Sequence, residues 1–277
     1  MEALEKFRVE SKDFKGFYMK KLFDLTGKVS IVTGGNGGIG RAIAKGLAHQ
    51  GADIVLAARN EQKTGALVKE IEAMGRRCIG VRCDVPEKKD IINTVDTAVS
   101  ELGGLNILVN NSGIGHGGEP TQTVALETWH QVLDTNLTSV FLFCQAAYPE
   151  LVKAGGGKII NIGSSYSIKS AAGNAPYAAS KAGVWNITRT MALDWGADNI
   201  QVNMIGPGWI RTEMTDSVWE NKERTAYIID ETPAARLGEP EDMAGAAVFL
   251  ASSSSDFVTG TNIIADGGMQ SGDKSWQ

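Results

Sequence analysis

The chain has 277 residues, of which 43% are hydrophobic and 21% are charged, and its formal net charge is −5 at pH 7. These values are typical of a globular protein that buries a large core. The mild negative charge argues against nucleic acid as the main partner, because nucleic-acid binding favours a basic face. No apolar run approaches the ~20 residues that a membrane span requires.

The N-terminal residues 1–24 are predicted to form an extension outside the main domain, which covers residues 25–277, and Met19 offers an alternative start. The extension mixes acidic and basic side chains and has no apolar core of the kind that a secretory signal carries. The chain has three cysteines, Cys78, Cys83 and Cys144. They lack metal-ligand spacing, so we expect buried thiols, no metal site and a cytoplasmic location.

Short β-branched segments alternate with longer amphipathic segments from Gly27 onward. Strands are predicted over residues 29–33, 54–57, 79–82, 107–110, 158–162, 201–205 and 262–265. Helices are predicted between them, including 39–49, 63–74, 90–102 and 177–195. This alternation predicts an α/β domain with a doubly wound, seven-stranded parallel sheet that helices cover on both faces. Ligands bind such a sheet at the carboxyl ends of its strands, where residues 212–237 are expected to form a mobile flap.

A glycine-rich turn, residues 34–40, joins the first predicted strand to an alanine-rich helix. Gly35, Gly37 and Gly40 fit the spacing G-x-G-x-x-G. Gly34, Gly38 and Gly40 fit the alternative spacing G-x-x-x-G-x-G. Either pattern lets the backbone approach a pyrophosphate at the positive end of the helix dipole. Contacts to a dinucleotide are therefore predicted for Gly34, Asn36, Gly37, Gly38, Ile39 and Gly40.

The end of the second predicted strand indicates which dinucleotide is bound. A site for NAD places Asp or Glu at this end, about twenty residues after the glycine turn, to bind the ribose hydroxyls. Here the strand is followed by Arg59 and Asn60, and the acid Asp53 lies at its opposite end. Arg59 supplies a planar cation suited to a 2′-phosphate. Arg59 and Asn60 are thus predicted cofactor ligands, and NADP(H) is favoured over NAD(H).

Tyr177 and Lys181 are four residues apart on a predicted helix, so both side chains can face one cleft. A free tyrosine has a pKa near 10, too high for a good base at neutral pH. An ammonium about 5 Å away, at an effective dielectric near 20, favours the phenolate by roughly 3 kcal/mol, or about two pKa units. Burial acts in the opposite direction. We expect the effect of the lysine on the phenol pKa to exceed that of burial, with help from a bound cationic nicotinamide.

Ser164 follows the fifth predicted strand, whose carboxyl end opens onto the same cleft. A hydroxyl at this place can donate to a developing alkoxide. With the glycine turn, the three side chains predict an oxidoreductase that uses Tyr177 as acid and base. His116, Tyr166 and Trp209 lie near the same strand ends and are candidate substrate contacts.

These motifs resemble those of the short-chain dehydrogenase/reductase superfamily, in its compact single-domain branch, over about residues 23–268. The matching positions are T-G-x-x-x-G-x-G at 33–40, Cys83-Asp84-Val85, Asn110-Asn111-Ser112-Gly113, Asn136, Ser164, Tyr177, Lys181, Pro207-Gly208, Thr212 and Asp266-Gly267-Gly268. The chain departs from the family at Ser112, where Ala is usual, and this puts local cofactor packing in doubt but no catalytic role. The resemblance implies a Rossmann-like fold and a homotetramer or homodimer, paired through the long helices near Asn136 and Tyr177.

The resemblance also implies roles for four catalytic residues. Tyr177 is the general acid in reduction and the general base in oxidation, and Lys181 lowers its pKa and binds the nicotinamide ribose. Ser164 holds the substrate oxygen, and Asn136 anchors a water that relays protons to Lys181. The implied cofactor contacts beyond these are Asp84 and Val85 at the adenine, Asn111 and Gly113 along the cleft, and Pro207, Gly208, Ile210 and Thr212 at the carboxamide.

Three functions remain open from the sequence. The segment 232–238 and the ending around Asp266 resemble gluconate and deoxygluconate dehydrogenases, which act on sugar acids or polyols, and also 3-oxoacyl-carrier-protein reductases. Other cyclic or aliphatic ketones also stay open as substrates of such an enzyme. A non-catalytic dinucleotide sensor could use the same fold, since fold alone does not fix function. Such a sensor has no chemical need for the set Ser164, Tyr177 and Lys181, so their presence favours an enzyme.

Overall fold

Seven parallel strands form one sheet in the computed structural model, which describes residues 22–272. The strands are β1 Val29–Thr33, β2 Asp53–Ala58, β3 Cys78–Arg82, β4 Ile107–Asn110, β5 Gly157–Ile162, β6 Ile200–Pro207 and β7 Asn262–Ala265. All seven lie where the sequence predicts them, and four extend one to two residues beyond a predicted end. Most of the predicted N-terminal extension, with Met19, lies outside the described residues.

The strand order is β3-β2-β1-β4-β5-β6-β7, and every neighbouring pair is parallel. The order reverses between β1 and β4, so the connections on the two sides of this point run in opposite directions. This arrangement leaves a crevice at the carboxyl ends of β1 and β4, which is where doubly wound sheets bind ligands. The predicted Rossmann-like fold is confirmed.

Helices cover both faces of the sheet. They are α1 Gly38–His49, α2 Glu61–Ala73, α3 Lys88–Leu102, α4 Leu126–Leu133, α5 Ser139–Lys153, α6 Ala175–Trp195, α7 Asp216–Trp219, α8 Lys222–Glu231 and α9 Ala244–Ala251. One face packs against α3, α5 and α6 through side chains such as Phe143 and Val184. The other packs against α1, α2 and α9 through side chains such as Leu47 and Leu250. Because both faces are covered, β1 and β2 are buried along their whole length.

Two features of these elements position the site. A single π-helical turn, Asp134–Thr138, joins α4 to α5 and buries Asn136 completely, and such turns are often found at functional sites. Residues 212–237, the predicted flap, form a 3₁₀ turn at Glu213–Thr215 followed by α7 and α8. These helices enclose a small apolar cluster of their own, built on Val218, Ile228 and Leu237. Mobility of the flap stays a prediction.

The cysteines and Asp53 lie where the sequence places them. All three cysteines are buried and free. Burial raises the thiol pKa of Cys78 and Cys144 to about 12 and that of Cys83 to about 11, so none is a reactive thiolate at neutral pH. Asp53 binds Arg76 and Arg77 at 2.6 and 2.7 Å, at the end of β2 away from the crevice. Within residues 22–272, no helix has the length and apolarity to cross a membrane.

Candidate active site

A cleft of about 520 Å³ opens at the carboxyl ends of the strands, around the point where the strand order reverses. It is lined by almost every residue predicted to contact a cofactor. These are Gly34, Asn36, Gly37, Gly38, Ile39, Arg59, Asn60, Asp84, Val85, Asn111, Gly113, Tyr177, Lys181, Pro207, Gly208, Ile210 and Thr212. Ser164 lines the same cleft, whereas Gly40 lies behind its wall.

Of the two glycine spacings left open by the sequence, the structure of the turn favours G-x-x-x-G-x-G, formed by Gly34, Gly38 and Gly40. Gly34 and Gly38 have φ angles of +60° and +45°, which glycine adopts readily. A Cβ on Gly40 would overlap the carbonyl oxygen of Gly34 and the side chain of Asn111. By contrast, a Cβ on Gly37 would meet nothing within 4 Å, and this residue faces the cleft. The backbone therefore leaves space at the N-terminus of α1, where a helix favours an anion such as a pyrophosphate.

Asn111 holds this turn against the end of β4. Its side-chain amide donates to the carbonyl oxygens of Thr33 at 2.9 Å and Gly34 at 3.2 Å. The Thr33 hydroxyl in turn accepts hydrogen bonds from the backbone N–H groups of Asn111 and Ser112, both at 2.9 Å. The side chain of Asn111 thus shapes the cleft wall by fixing the backbone of the turn. The sequence predicts a cofactor contact for Asn111 but not this structural role.

The tip of β2 carries the predicted phosphate-binding cation. Arg59 is exposed and lines the cleft, and Asn60 caps α2 by accepting a hydrogen bond from the N–H of Lys63. The Asn36 side chain donates to the carbonyl oxygen of Asn60 at 3.0 Å, which ties the glycine turn to this tip. Sequence reasoning missed Lys63, whose position in the first turn of α2 was the available signal. Its ammonium pairs with Glu213 of the predicted flap at 2.6 Å.

Tyr177 and Lys181 face the cleft from the first turns of α6, which begins at Ala175 with Pro176 in its first turn. The Lys181 ammonium lies 5.8 Å from the centroid of the Tyr177 ring. It donates to the carbonyl oxygen of Ile162, at the end of β5, at 2.8 Å. The predicted juxtaposition of the phenol and the ammonium is present.

Ser164 begins a 3₁₀ turn, Ser165–Ser167, directly after β5. Its hydroxyl accepts from the N–H of Tyr166 at 3.1 Å, and Ser167 accepts from the N–H of Ser164 at 3.2 Å. This capping pattern fixes the serine, and its side chain also forms a hydrogen bond with Tyr177. The strand end therefore presents the hydroxyl to the phenol.

From the sequence, Lys181 is expected to lower the pKa of Tyr177 by more than burial raises it. When only the protein's own groups act on the phenol, this expectation is wrong. Burial raises the pKa of Tyr177 above its usual value, and the hydrogen bond with Ser164, which lowers it, does not compensate. Burial also lowers the pKa of Lys181 to about 8. The same desolvation that surrounds the phenol destabilises the ammonium, so the lysine is a weaker source of positive charge than the spacing implies.

Asn136 is held by protein groups. Its Oδ1 accepts from the N–H of Ile114 at 2.8 Å, and its Nδ2 donates to the carbonyl oxygen of Ile114 and to the Ser180 hydroxyl. The amide therefore fixes the loop after β4 against α6, next to Lys181. A water relay from Asn136 to the lysine stays a prediction.

The three candidate substrate residues lie around the cleft and not in its lining. The Tyr166 ring packs edge-on against both Tyr177 and Trp209, with centroid separations of 6.2 and 6.4 Å. His116 is 9% exposed at its side chain, and its Nε2 lies 3.2 Å from a carboxylate oxygen of Glu119. Tyr166 and Trp209 thus extend the site outward from the phenol, whereas His116 pairs with Glu119. Within residues 22–272, no three acidic, histidine or cysteine side chains cluster as a metal site would require.

The sequence and the fold of this chain are similar to those of proteins named as reductases and dehydrogenases. Residues 34–270 match the family described as enoyl-(acyl carrier protein) reductase. The chain is 41% identical to 2-dehydro-3-deoxy-D-gluconate 5-dehydrogenase of Escherichia coli, covering 89% of this chain and 96% of that protein. It is 38% identical to gluconate 5-dehydrogenase of Gluconobacter oxydans, covering 90% and 96%. The crystal structure of a gluconate 5-dehydrogenase from Burkholderia cenocepacia, in complex with NADP and tartrate, superposes with a TM-score of 0.87 at 36% identity, covering 91% and 98%.

Two glycine variants separate the structural from the ligand-facing part of the turn. Gly40→Ala is expected to lower the free energy of unfolding by about 1–3 kcal/mol, because its methyl group overlaps the backbone. Gly37→Ala is expected to leave stability within about 0.5 kcal/mol and to weaken dinucleotide binding, because its methyl group projects into the cleft. Denaturant unfolding and fluorescence titration measure both. Equal stability losses in the two variants would contradict this description of the turn.

Proposed function

Because the chain belongs to the short-chain dehydrogenase/reductase family of oxidoreductases, we propose that it transfers a hydride between NADP(H) and the carbonyl or secondary alcohol of a sugar acid. The observation that carries this proposal is the convergence of Tyr177, Ser164 and Lys181 on one cleft beside the glycine turn. Side chains in this arrangement can hold a carbonyl oxygen and deliver a proton to it.

Each side chain has a distinct part in reduction. A reduced nicotinamide held in this cleft would supply the hydride that the carbonyl carbon receives. Tyr177 gives its phenolic proton to the carbonyl oxygen, and the Ser164 hydroxyl stabilises the negative charge that develops there. Lys181 is the group from which the phenol regains its proton through solvent, with Asn136 fixing the adjoining loop. The reverse sequence, with Tyr177 as base, performs oxidation.

The raised pKa of the Tyr177 phenol suits reduction, in which the phenol acts as an acid. Since burial raises the pKa of Tyr177 above that of a free tyrosine, which is itself well above neutral pH, the phenol is protonated in the neutral range and can act as an acid. Oxidation requires the phenolate, which the positive charge of an oxidised nicotinamide held in this cleft would stabilise. Reduction is therefore expected to hold its rate across neutral pH, while oxidation increases as the pH rises.

NADP is proposed over NAD on the chemistry of the β2 tip. Arg59 lines the cleft there, and Asp53 is paired with two arginines at the other end of the strand. A guanidinium can bind a phosphate through two parallel hydrogen bonds, which a ribose hydroxyl cannot match. The Burkholderia relative, whose structure contains NADP, supports the same choice.

A carboxylate-bearing substrate is proposed on the names of the relatives and on one cation of the flap. Arg224, near the start of α8, lies 5.7 Å from the centroid of the Trp209 ring. Burial raises the pKa of Tyr166, whose ring packs against Tyr177, and the positive charge of Arg224 opposes that rise. Within the part of the chain that the structure describes, its guanidinium forms no ion pair with a carboxylate. A cation beyond the reacting end of the cleft is suited to the carboxylate of a sugar acid.

A substrate panel tests the proposal. With NADPH, keto-gluconates are expected to react with a kcat/KM at least tenfold above neutral ketoses of the same length and above acetoacetyl thioesters. Tyr177→Phe is expected to lower kcat by about 10²–10⁴-fold while NADPH still binds, because the proton donor alone is removed. A preference for the thioesters would indicate a 3-oxoacyl-carrier-protein reductase. Failure of every carbonyl, with tight NADPH binding, would indicate a dinucleotide sensor.

A homotetramer or homodimer in the cytoplasm is proposed for the assembled protein. Apolar side chains are exposed on the two long helices expected to pair, with Phe141 of α5 45% exposed and Leu193 of α6 85% exposed. Burying such side chains against a second copy is favourable. Light scattering is expected to give a mass of two or four chains, and a mass of one chain would contradict the proposal.

A further inference from the structure

Residues 212–214, in the segment after β6, line the cleft and lie close to three neighbouring segments of the chain. A Cβ on Gly38 of the glycine turn would lie 3.1 Å from the Thr212 methyl group. A Cβ on Gly115, in the loop after β4, would lie 3.4 Å from the Met214 side chain. Between these two contacts, Glu213 forms its ion pair with Lys63 of α2. We call residues 212–214 the strap.

Lys63 belongs to the end of the cleft proposed for the 2′-phosphate. It lies in the first turn of α2, four residues after Arg59, and both residues line the cleft. The N–H of Lys63 is fixed by the Asn60 cap at 2.9 Å, so the base of its side chain is held while its ammonium can turn. Two cations thus flank one corner, and among residues 22–272 only Lys63 of the two is paired with a carboxylate.

The Lys63–Glu213 pair is weak enough for the Lys63 ammonium to leave Glu213 and bind a stronger anion. Its side chains are 49% and 77% exposed, and an exposed pair of this kind contributes little stability. A phosphate monoester carries nearly two negative charges at neutral pH and presents several acceptor oxygens. It therefore attracts the ammonium more strongly than the single carboxylate of Glu213 does.

We propose that Lys63 is a second ligand of the 2′-phosphate, and that Glu213 holds this lysine until the phosphate displaces it. The inference rests on the proposed use of NADP(H). In the bound state Arg59 and Lys63 share the phosphate, and Glu213 faces a like charge and leaves. NAD(H) brings no phosphate to this corner, so the ion pair stays in place and Lys63 adds nothing to its affinity. Lys63 is thus a determinant of cofactor specificity, and Glu213 opposes NADP(H) binding.

Fluorescence titration of NADPH and NADH into the full-length wild type and its variants tests the exchange. Lys63→Met is expected to raise the Kd for NADPH about 5–10-fold and to leave the Kd for NADH within twofold. Lys63→Arg is expected to stay near wild type for both cofactors. Glu213→Gln is expected to lower the Kd for NADPH about threefold without affecting NADH, because a competing carboxylate is removed. Lys69→Met, which removes an exposed cation from the same helix, is the matched control and is expected to change neither Kd.

The outcomes distinguish this inference from the proposed function. If the wild type prefers NADPH and Lys63→Met leaves that preference intact, the inference fails alone. If Lys63→Met weakens both cofactors equally, the lysine only braces the strap, and the inference also fails. If the wild type binds NADPH no more tightly than NADH, the proposed cofactor preference fails and the inference fails with it. Thermal melting of each variant shows whether the fold is intact.

Discussion

The hydrogen bond from the Lys181 ammonium to the carbonyl oxygen of Ile162 joins α6 to the end of β5. It connects the helix that carries Tyr177 to the strand that presents Ser164, so the phenol and the hydroxyl are brought together at one edge of the sheet. Both partners are buried, and a buried ammonium without an acceptor would be costly. The arrangement of Ser164, Tyr177 and Lys181 therefore follows from satisfying one desolvated charge.

Buried polar contacts extend this constraint through the sheet. Asn110 of β4 donates to Asn161 of β5 at 2.9 Å, and Asn161 donates to the Thr188 hydroxyl of α6 at 2.9 Å. Asn136 links the loop after β4 to Ser180, one residue before the lysine. Networks of this kind fix geometry because each member, if released, would leave an unpaired group in a dry interior. The cleft is thus preorganised by side chains that never reach it.

Periodicity and turn chemistry made much of the fold predictable from the sequence. The seven strands are short, mostly apolar segments, and the glycine turn follows β1 because only glycine allows its backbone angles and its close approach to Asn111. The pair Tyr177 and Lys181 was accessible because spacing on a helix fixes a shared face. These features depend on local sequence, where pattern and structure are directly related.

Features that depend on distant parts of the chain were not accessible. The Lys63–Glu213 pair joins positions 150 residues apart, and no local pattern indicates it. The burial of Tyr177 and Lys181 depends on how tightly loops and helices close around them, so spacing alone gave the wrong balance between the lysine and desolvation. The choice between the two glycine spacings also needed the backbone angles of Gly34 and Gly38 and the position of Asn111 beside the turn.

The most direct measurement is an ultraviolet titration of the Tyr177 phenol, obtained as the difference between the wild type and Tyr177→Phe, with and without oxidised NADP. Desolvation predicts that the phenol in the protein alone ionises at a higher pH than free tyrosine does, and that its ionisation shifts to lower pH when the positively charged oxidised cofactor is bound. Ionisation well below pH 10 without the dinucleotide would show that Lys181 controls the phenol by itself. That result would contradict the account of a site governed by burial.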